Sequence, residues 1–282
     1  MAVPPAGMLP VDLAEALRRV AGRTRGFAGQ PAWYDCAGST NDLADRAAAA
    51  GAPHGFAVAA DAQSDGRGRM GRAWFSPPGS GLYVSVVLRP GPLGLRVGGG
   101  SGPALIASSV TMTAGVALAE AVRASTGLAP AIKWPNDVVV GPRKLCGILA
   151  EASVSGGAVQ HIVLGFGVNV QPAAYPPDLA DRATSVEAEL GRPVDRALVF
   201  AEALASLAER LRELASVGFG AILDRWRTLS PSSVGAPVEL VADGRSRTAR
   251  TAGVAEDGAL LASVEGRVER VIAGEVRWLG HL

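Results

Sequence analysis

The chain has 282 residues, 48% of them hydrophobic and 19% charged, with a formal net charge of +1. That length allows one large unit plus a small one, and the composition suits a globular chain with a buried core. The near-zero charge excludes the broad basic field that general nucleic-acid or membrane-surface binding needs.

Cys36 and Cys146 stand far apart and suggest neither a disulfide framework nor a zinc site. His54, His161 and His281 form no metal pattern, so no resident metal site is expected. Residues 1–10 lack the basic and apolar regions of a secretory signal. The apolar stretch 104–119 carries Ser108, Ser109, Thr111 and Thr113 and is too short to span a bilayer. A cytoplasmic location without a membrane partner is expected. Of the 27 basic residues only two are lysines, Lys133 and Lys144, and in a chain that uses arginine for nearly every surface cation each lysine points to a chemical role.

In chain order, Leu13, Leu17 and Val20 predict an amphipathic helix over 11–20. No second helix follows at turn spacing, so no helix-turn-helix is expected before residue 30. Trp33 and Tyr34 begin a strand. Ser39, with Asp42 three residues on, reads as a capping box opening a helix through the alanines of 47–50, with Gly51 as its stop. A strand over 56–60 precedes a polar, glycine-rich loop over 61–71. Val84, Val86 and Leu88 alternate in a strand over 82–88. Residues 90–102 read as a loop containing the glycine tract 98–100. A long buried helix is expected over 103–126, stopped by Gly127.

The runs 138–140 and 145–154 suggest a hairpin around Gly141-Pro142, and 161–170 an apolar strand. Helices are expected over 182–190 and 195–216, with a short one around Leu223 and Trp226. From about Ser233 short β-type runs are separated by Asp243-Gly244, Asp257-Gly258 and Glu265-Gly266, which are hairpin signals. This predicts a small β-barrel of about 48 residues appended to a mixed α/β unit of about 230.

Four segments can carry chemistry. Gly66-Arg67-Gly68-Arg69-Met70-Gly71-Arg72 contains the dinucleotide spacing of glycines, but no helix follows and no acid occurs before Glu120, so that reading fails its context. The loop still suits an anion: glycine brings backbone N–H groups close, and arginine supplies forked, permanent charge. A solvated flexible loop is the plain alternative. Lys133-Trp134-Pro135-Asn136-Asp137 ends an extended run, where an ammonium can offset phosphate charge and favour departure of pyrophosphate. Gly38-Ser39-Thr40-Asn41 puts small polar groups at a helix start, although a simple N-cap explains them equally. Gly165-Phe166-Gly167-Val168-Asn169 allows close approach of a flat ligand, or is an ordinary strand end. No serine sits in a nucleophile elbow and no histidine lies near either cysteine in sequence.

Taken together these segments resemble the biotin–protein ligases in order and spacing. The match joins Gly38-Ser39-Thr40-Asn41, Gln63, the arginine–glycine loop, Lys133-Trp134-Pro135-Asn136-Asp137, Lys144-Leu145-x-Gly147-Ile148-Leu149 and Gly165-x-Gly167-x-Asn169. The resemblance covers residue 32 to the C-terminus. It implies an α+β fold: a catalytic domain like that of class II aminoacyl-tRNA synthetases with a mixed β-sheet, then a small SH3-like barrel. The implied bounds are 1–30 for an N-terminal extension, 31–232 for the biotin- and ATP-binding domain and 233–282 for the barrel.

The resemblance implies formation of biotinyl-5′-AMP from biotin and ATP with Mg2+, then transfer of biotin to a lysine of a biotin carboxyl carrier domain. Ser39, Thr40, Asn41 and Gln63 are implied to hold the ureido end of biotin. Arg67, Gly68 and Arg69 are implied to wrap its carboxylate and the adenylate phosphate, with Arg72 beside them. Lys133, with Arg69, is implied to contact the reacting groups. Asn169 is implied on the adenine side and Trp74 in support of the loop or nucleotide, while Lys144 is expected to be structural or peripheral.

Met70 departs from the basic or polar residues common at its place in relatives. Only about 30 residues precede the catalytic segment, so no DNA binding is expected, and the chain is expected to be a monomer or weak homodimer. A lipoate–protein ligase and a non-catalytic ligand sensor are the rival readings.

Overall fold

The computed structural model describes residues 6–94, 102–242, 245–272 and 275–279. The glycine tract 98–100, Asp243-Gly244 and His281 lie outside the described residues.

The N-terminal helix α1 (Val11–Arg19) buries Leu13, Ala16 and Leu17. One further helical turn, α2 (Ala21–Thr24), follows it where the sequence suggested only loop. Strand β1 (Ala32–Ala37) leads into α3 (Thr40–Ala49). Strand β2 (Ala57–Gln63) runs three residues further than the sequence suggested, and β3 (Gly81–Leu88) follows the arginine–glycine loop. Helix α4 (Pro103–Thr126) opens on Pro103, whose missing N–H costs nothing there, and ends on Gly127 at a left-handed φ of 81°. It is long and apolar enough to cross a membrane, but 72% of its most apolar window is buried in this fold, as befits a core helix.

Strands β4 (Ala131–Lys133), β5 (Asp137–Val140), β6 (Arg143–Ser155) and β7 (Ala158–Asn169) come next. The helix expected over 182–190 begins only at Val186, as α6 (Val186–Leu190), and a separate turn, α5 (Pro177–Ala180), lies ahead of it. Ser185 explains the late start: its hydroxyl accepts from Ala188 N–H as an N-cap, a role that favours a helix start over its interior. Helices α7 (Arg196–Ser216) and α8 (Phe219–Leu229) complete this part.

The first seven strands form one sheet in the order β1-β2-β3-β7-β6-β5-β4, antiparallel except for the β1–β2 pair. Helices α4 and α7 cover one face and α3 covers part of the other. Strand β3 is therefore buried on both faces, not on one as its alternation suggested. Its Leu82, Val84, Val86 and Leu88 join the large core under α4 and α7, while Val87 packs with Leu43 and Ala44 of α3. Phe200 and Trp226 are fully buried anchors of the helical side, and truncating either to alanine costs about 3–5 kcal/mol.

The last five strands, β8 (Val234–Ala242), β9 (Arg245–Val254), β10 (Leu260–Val264), β11 (Arg267–Val271) and β12 (Glu275–Trp278), form an antiparallel sheet in the order β11-β10-β9-β8-β12. Glu265 and Gly266 turn β10 into β11 with φ of 50° and 81°, the left-handed pair a tight hairpin requires. Val254 and Leu260 of this sheet belong to the main core cluster. The Trp134 indole donates to Gly258 carbonyl at 3.0 Å, tying the β9–β10 turn to the β4–β5 hairpin. Mixed sheet plus antiparallel sheet make an α+β fold.

Candidate active site

The period of a strand decides what the site is made of. On β7, Ile162, Leu164, Phe166 and Val168 enter the large core, which turns Gly165 and Gly167 to the opposite face. On β6, Cys146 and Ile148 likewise face the core, and Gly147, Leu149 and Glu151 share the other face. Two glycines on β7 and one on β6 therefore leave a hollow on the face that α3 only partly covers. Ser39, Thr40, Asn41, Gln63, Arg67, Gly68, Arg69, Trp74, Asn136 and Lys144 close around it.

The hollow is strictly shaped by those glycines. A methyl on Gly165 would stand 2.0 Å from Asn41 Oδ1, and one on Gly167 would stand 2.3 Å from Trp74 Nε1. The Trp74 indole lies against Gly147 and Gly167 inside the hollow, and its Nε1 has no hydrogen-bond partner. The space left is about 50 Å3, against the ~300 Å3 or more of a typical small-molecule site. A ligand larger than a few atoms requires Trp74 or its loop to move.

One end of the hollow is a neutral polar network. Gln63 Oε1 accepts from Thr40 N–H at 2.9 Å and Thr40 Oγ1–H at 3.0 Å, and Gln63 Nε2 donates to Ser76 Oγ at 2.9 Å. The buried Ser85 hydroxyl lies 2.8 Å from Thr40 Oγ1 and 2.6 Å from Asn41 Oδ1. Asn41 Nδ2 donates to Glu151 Oε2 at 2.8 Å. Ser39 starts α3 but its hydroxyl makes no capping bond; the Gln63 carbonyl oxygen satisfies the first free N–H of the helix instead.

The other end is cationic. Arg69 donates to Asn136 Oδ1 at 3.4 Å, and Asn136 Nδ2 donates to Ile148 carbonyl at 2.9 Å. Lys144 Nζ sits 2.6 Å from Asp137 Oδ1 and 5.2 Å from the centre of the Trp74 ring. Burial lowers the pKa of the Arg69 guanidinium, an effect that the nearby Asp137 opposes. The loop itself is a small hairpin: Gly68 N–H donates to Arg72 carbonyl and Trp74 N–H to Gly66 carbonyl, each at 2.7 Å. Met70 takes the left-handed conformation at its tip, φ 58°, exposed to solvent.

Of the residues singled out in the sequence, Ser39, Thr40, Asn41, Gln63, Arg67, Gly68, Arg69 and Trp74 converge on this hollow. Three do not line it. Lys133 lies on the edge strand β4 with its ammonium 5.6 Å from the centre of the Trp278 ring, and burial lowers its pKa. Asn169 is buried with its amide donating to Thr184 carbonyl at 2.9 Å, so it holds the β7 end to the 184–185 turn. Arg72 is exposed at the foot of the loop hairpin. Lys144, expected to be structural or peripheral, lines the hollow; Asn136 was named only within the 133–137 run with no role of its own, and sequence reasoning missed Ser85 and Glu151 altogether. The Cys146 thiol is fully buried, which pushes its pKa well up and removes it as a nucleophile. No cluster of three potential metal ligands occurs among the described residues.

A family model described as the Biotin/lipoate A/B protein ligase family matches residues 33–169, the stretch that supplies nearly all of the hollow. A biotin--[acetyl-CoA-carboxylase] ligase of Paracoccus denitrificans is 36% identical over 211 residues, 71% of this chain and 78% of that protein. The protein of the same name from Mycobacterium tuberculosis is 32% identical over 262 residues, 85% of each chain. Among solved structures, a biotin protein ligase from Aquifex aeolicus in complex with biotin and ATP superposes with a TM-score of 0.72 at 27% identity, covering 88% of this chain and 97% of that one. The chain belongs to the biotin–protein ligase family.

Proposed function

We infer that this site activates the carboxylate of biotin with ATP and then passes the biotinyl group to a lysine of an acceptor protein. The observation that carries the reading is the two-ended hollow: a neutral polar network at Thr40, Gln63 and Asn41, and a cationic end at Arg69 and Lys144. A ureido ring offers the donors and acceptors that such a network can pair, and a carboxylate at the far end of a short chain reaches the cations. The dithiolane of lipoate has no amide-type donors or acceptors to offer that network, so it gains no hydrogen bonds there.

In the first step an oxygen of the biotin carboxylate attacks the α-phosphorus of ATP. The new O–P bond forms as the α–β bridging bond breaks, and pyrophosphate leaves with the electron pair. Magnesium arrives on ATP as part of that substrate. Both reactants are anions, so the residues must cancel their repulsion. We assign this to Arg69 and Lys144. Asp137 aims the Lys144 ammonium, and Asn136 steadies Arg69. Lys133, named for this role on sequence grounds, stands 5.6 Å from the centre of the Trp278 ring and within electrostatic reach of Asp137 and Lys144. In the second step the amine of the acceptor lysine attacks the acyl carbon and AMP leaves. The loop hairpin keeps water off the anhydride meanwhile.

The finer reading of the fold has a catalytic domain of class II synthetase type over 31–232 and an SH3-like barrel over 233–282. The biotin carboxyl carrier domain of an acyl-CoA carboxylase is the acceptor under this reading. It is tested by thermal unfolding with biotin, lipoate or ATP added. Biotin at 100 times its Kd adds ~2.7 kcal/mol to stability and raises Tm, and lipoate at equal concentration adds less. A larger rise with lipoate contradicts the assignment.

A further inference from the structure

Arg67 is the first arginine of the loop, and its side chain is already occupied. Its guanidinium meets Glu151 through two hydrogen bonds, 3.0 Å to Oε1 and 2.8 Å to Oε2. It also lies 2.8 Å from Asp42 Oδ1. Three elements meet at that point: the loop, α3 through Asp42, and β6 through Glu151. The same Glu151 carboxylate receives the Asn41 amide from the polar end of the hollow. All three charged side chains are half exposed, at 42%, 52% and 39%, which places them at the mouth and not in the interior.

Two carboxylates on one arginine leave it no surplus charge to offer an anion. A site that binds a carboxylate and a triphosphate has no electrostatic use for two extra acids at its mouth, so they need another reason to be there. The loop supplies one. Its hairpin is stitched by the Gly68–Arg72 and Trp74–Gly66 backbone bonds and by the Arg67–Ala73 bridge. Fixing Arg67 at the foot of this stitched unit therefore sets where Arg69 stands over the hollow, and the Trp74 indole alone has to swing aside to admit a ligand.

We propose that Arg67 is a latch: Glu151 and Asp42 are positioning residues that hold it, and so hold the arginine–glycine loop closed over the bound adenylate. Arg69 meets the anion; Arg67 stays with the protein carboxylates. The proposal rests on the adenylate-forming reading for its ligand, but not for the latch itself.

The alternative has the opposite sign. If Arg67 were a ligand clamp, Glu151 and Asp42 would compete with the substrate anion, and neutralising them would tighten binding. The experiment uses the full chain with Glu151→Gln, Asp42→Asn, Arg67→Gln and the Glu151→Gln/Arg67→Gln pair. Glutamine keeps an acceptor for Asn41, and Asp42 is exposed, so a variant that fails to fold at one position leaves the other informative.

Two rates are read. One is release of biotinyl-5′-AMP formed in place from biotin and MgATP. The other, in ligand-free protein, is trypsin cleavage after Arg69 and Arg72, located by mass spectrometry. The latch predicts that Glu151→Gln and Asp42→Asn speed both rates, about fivefold for the former. It also predicts that Glu151→Gln adds nothing on top of Arg67→Gln. Slower adenylate release in Glu151→Gln, full additivity of the pair, or loop cleavage unchanged by every variant overturns it. A wild-type chain that makes no adenylate contradicts the proposed function alone, and the cleavage rates still decide the latch.

Discussion

Gly165→Ala is a sharp perturbation of the site because it adds only a methyl group. The Gly165 φ is not in the left-handed range, so the backbone admits alanine; the obstacle is space. The new methyl stands 2.0 Å from Asn41 Oδ1, and ordinary contact begins at 3.4 Å, so the amide has to retreat. Retreat breaks the 2.6 Å contact to Ser85 and the 2.8 Å bond to Glu151. Overpacking of this kind costs about 1–3 kcal/mol, and a buried polar group left unpaired costs ~1–3 kcal/mol more. Asn41 belongs to the polar end of the hollow, so much of the cost falls on ligand binding. We expect biotin affinity, measured by calorimetry, to fall at least about tenfold, which corresponds to ~1.4 kcal/mol. Gly22→Ala is the control, since nothing lies within 4 Å of its added methyl. Alanine there favours the helical turn by up to ~1 kcal/mol and leaves binding unchanged. Biotin affinity in Gly165→Ala equal to wild type would refute the placement of Asn41 against the ligand.

Two further outcomes follow from burial. Cys36 is exposed and Cys146 is fully buried with its thiol pKa pushed up, so a thiol reagent labels Cys36 in the native protein and Cys146 only on unfolding, as peptide mapping will read. Burial raises the pKa of Tyr34, Tyr83 and Tyr175, the last to about 12. Groups whose folded pKa lies above the unfolded value of ~10 stabilise fully below pH ~10 and lose that contribution as pH rises through the folded values. Denaturant midpoints should therefore decline above about pH 10 as the phenolate absorbance appears. A native phenolate midpoint at or below the free-tyrosine value contradicts this.

Much of the site was legible because its residues sit in compact segments. The run Gly38 to Asn41 and the arginine–glycine loop each deliver several neighbouring residues to one hollow, and helix α4 was bounded by its own proline and glycine. What stayed hidden depended on strand register. The scarcity of lysine pointed equally to Lys133 and Lys144. A register shift between β5 and β6 puts Leu145 and Cys146 in succession into the apolar core, and that irregularity turns Lys144 toward Gly147 and the hollow. No pattern of residue types announces such a bulge. Glu151 sits in an ordinary strand and acquires its meaning only from Asn41, Asp42 and Arg67, which are distant in sequence. Ser85 did leave a trace: one hydroxyl within an apolar strand must find a partner once buried, and here the partners are Thr40 and Asn41. Ser185 likewise carried the cap signal that starts α6 at Val186, four residues later than the helix expected from 182.

The central claim is that the hollow joins biotin to ATP with Lys144 and Arg69 at the reacting end. The direct test is pyrophosphate release from ATP, Mg2+ and biotin, with lipoate as the parallel acid and Lys144→Ala and Lys133→Ala as paired variants. The account predicts release with biotin, little with lipoate, and a loss of about 10²-fold or more in Lys144→Ala that exceeds the loss in Lys133→Ala. No release with biotin, or a loss confined to Lys133→Ala, would contradict it.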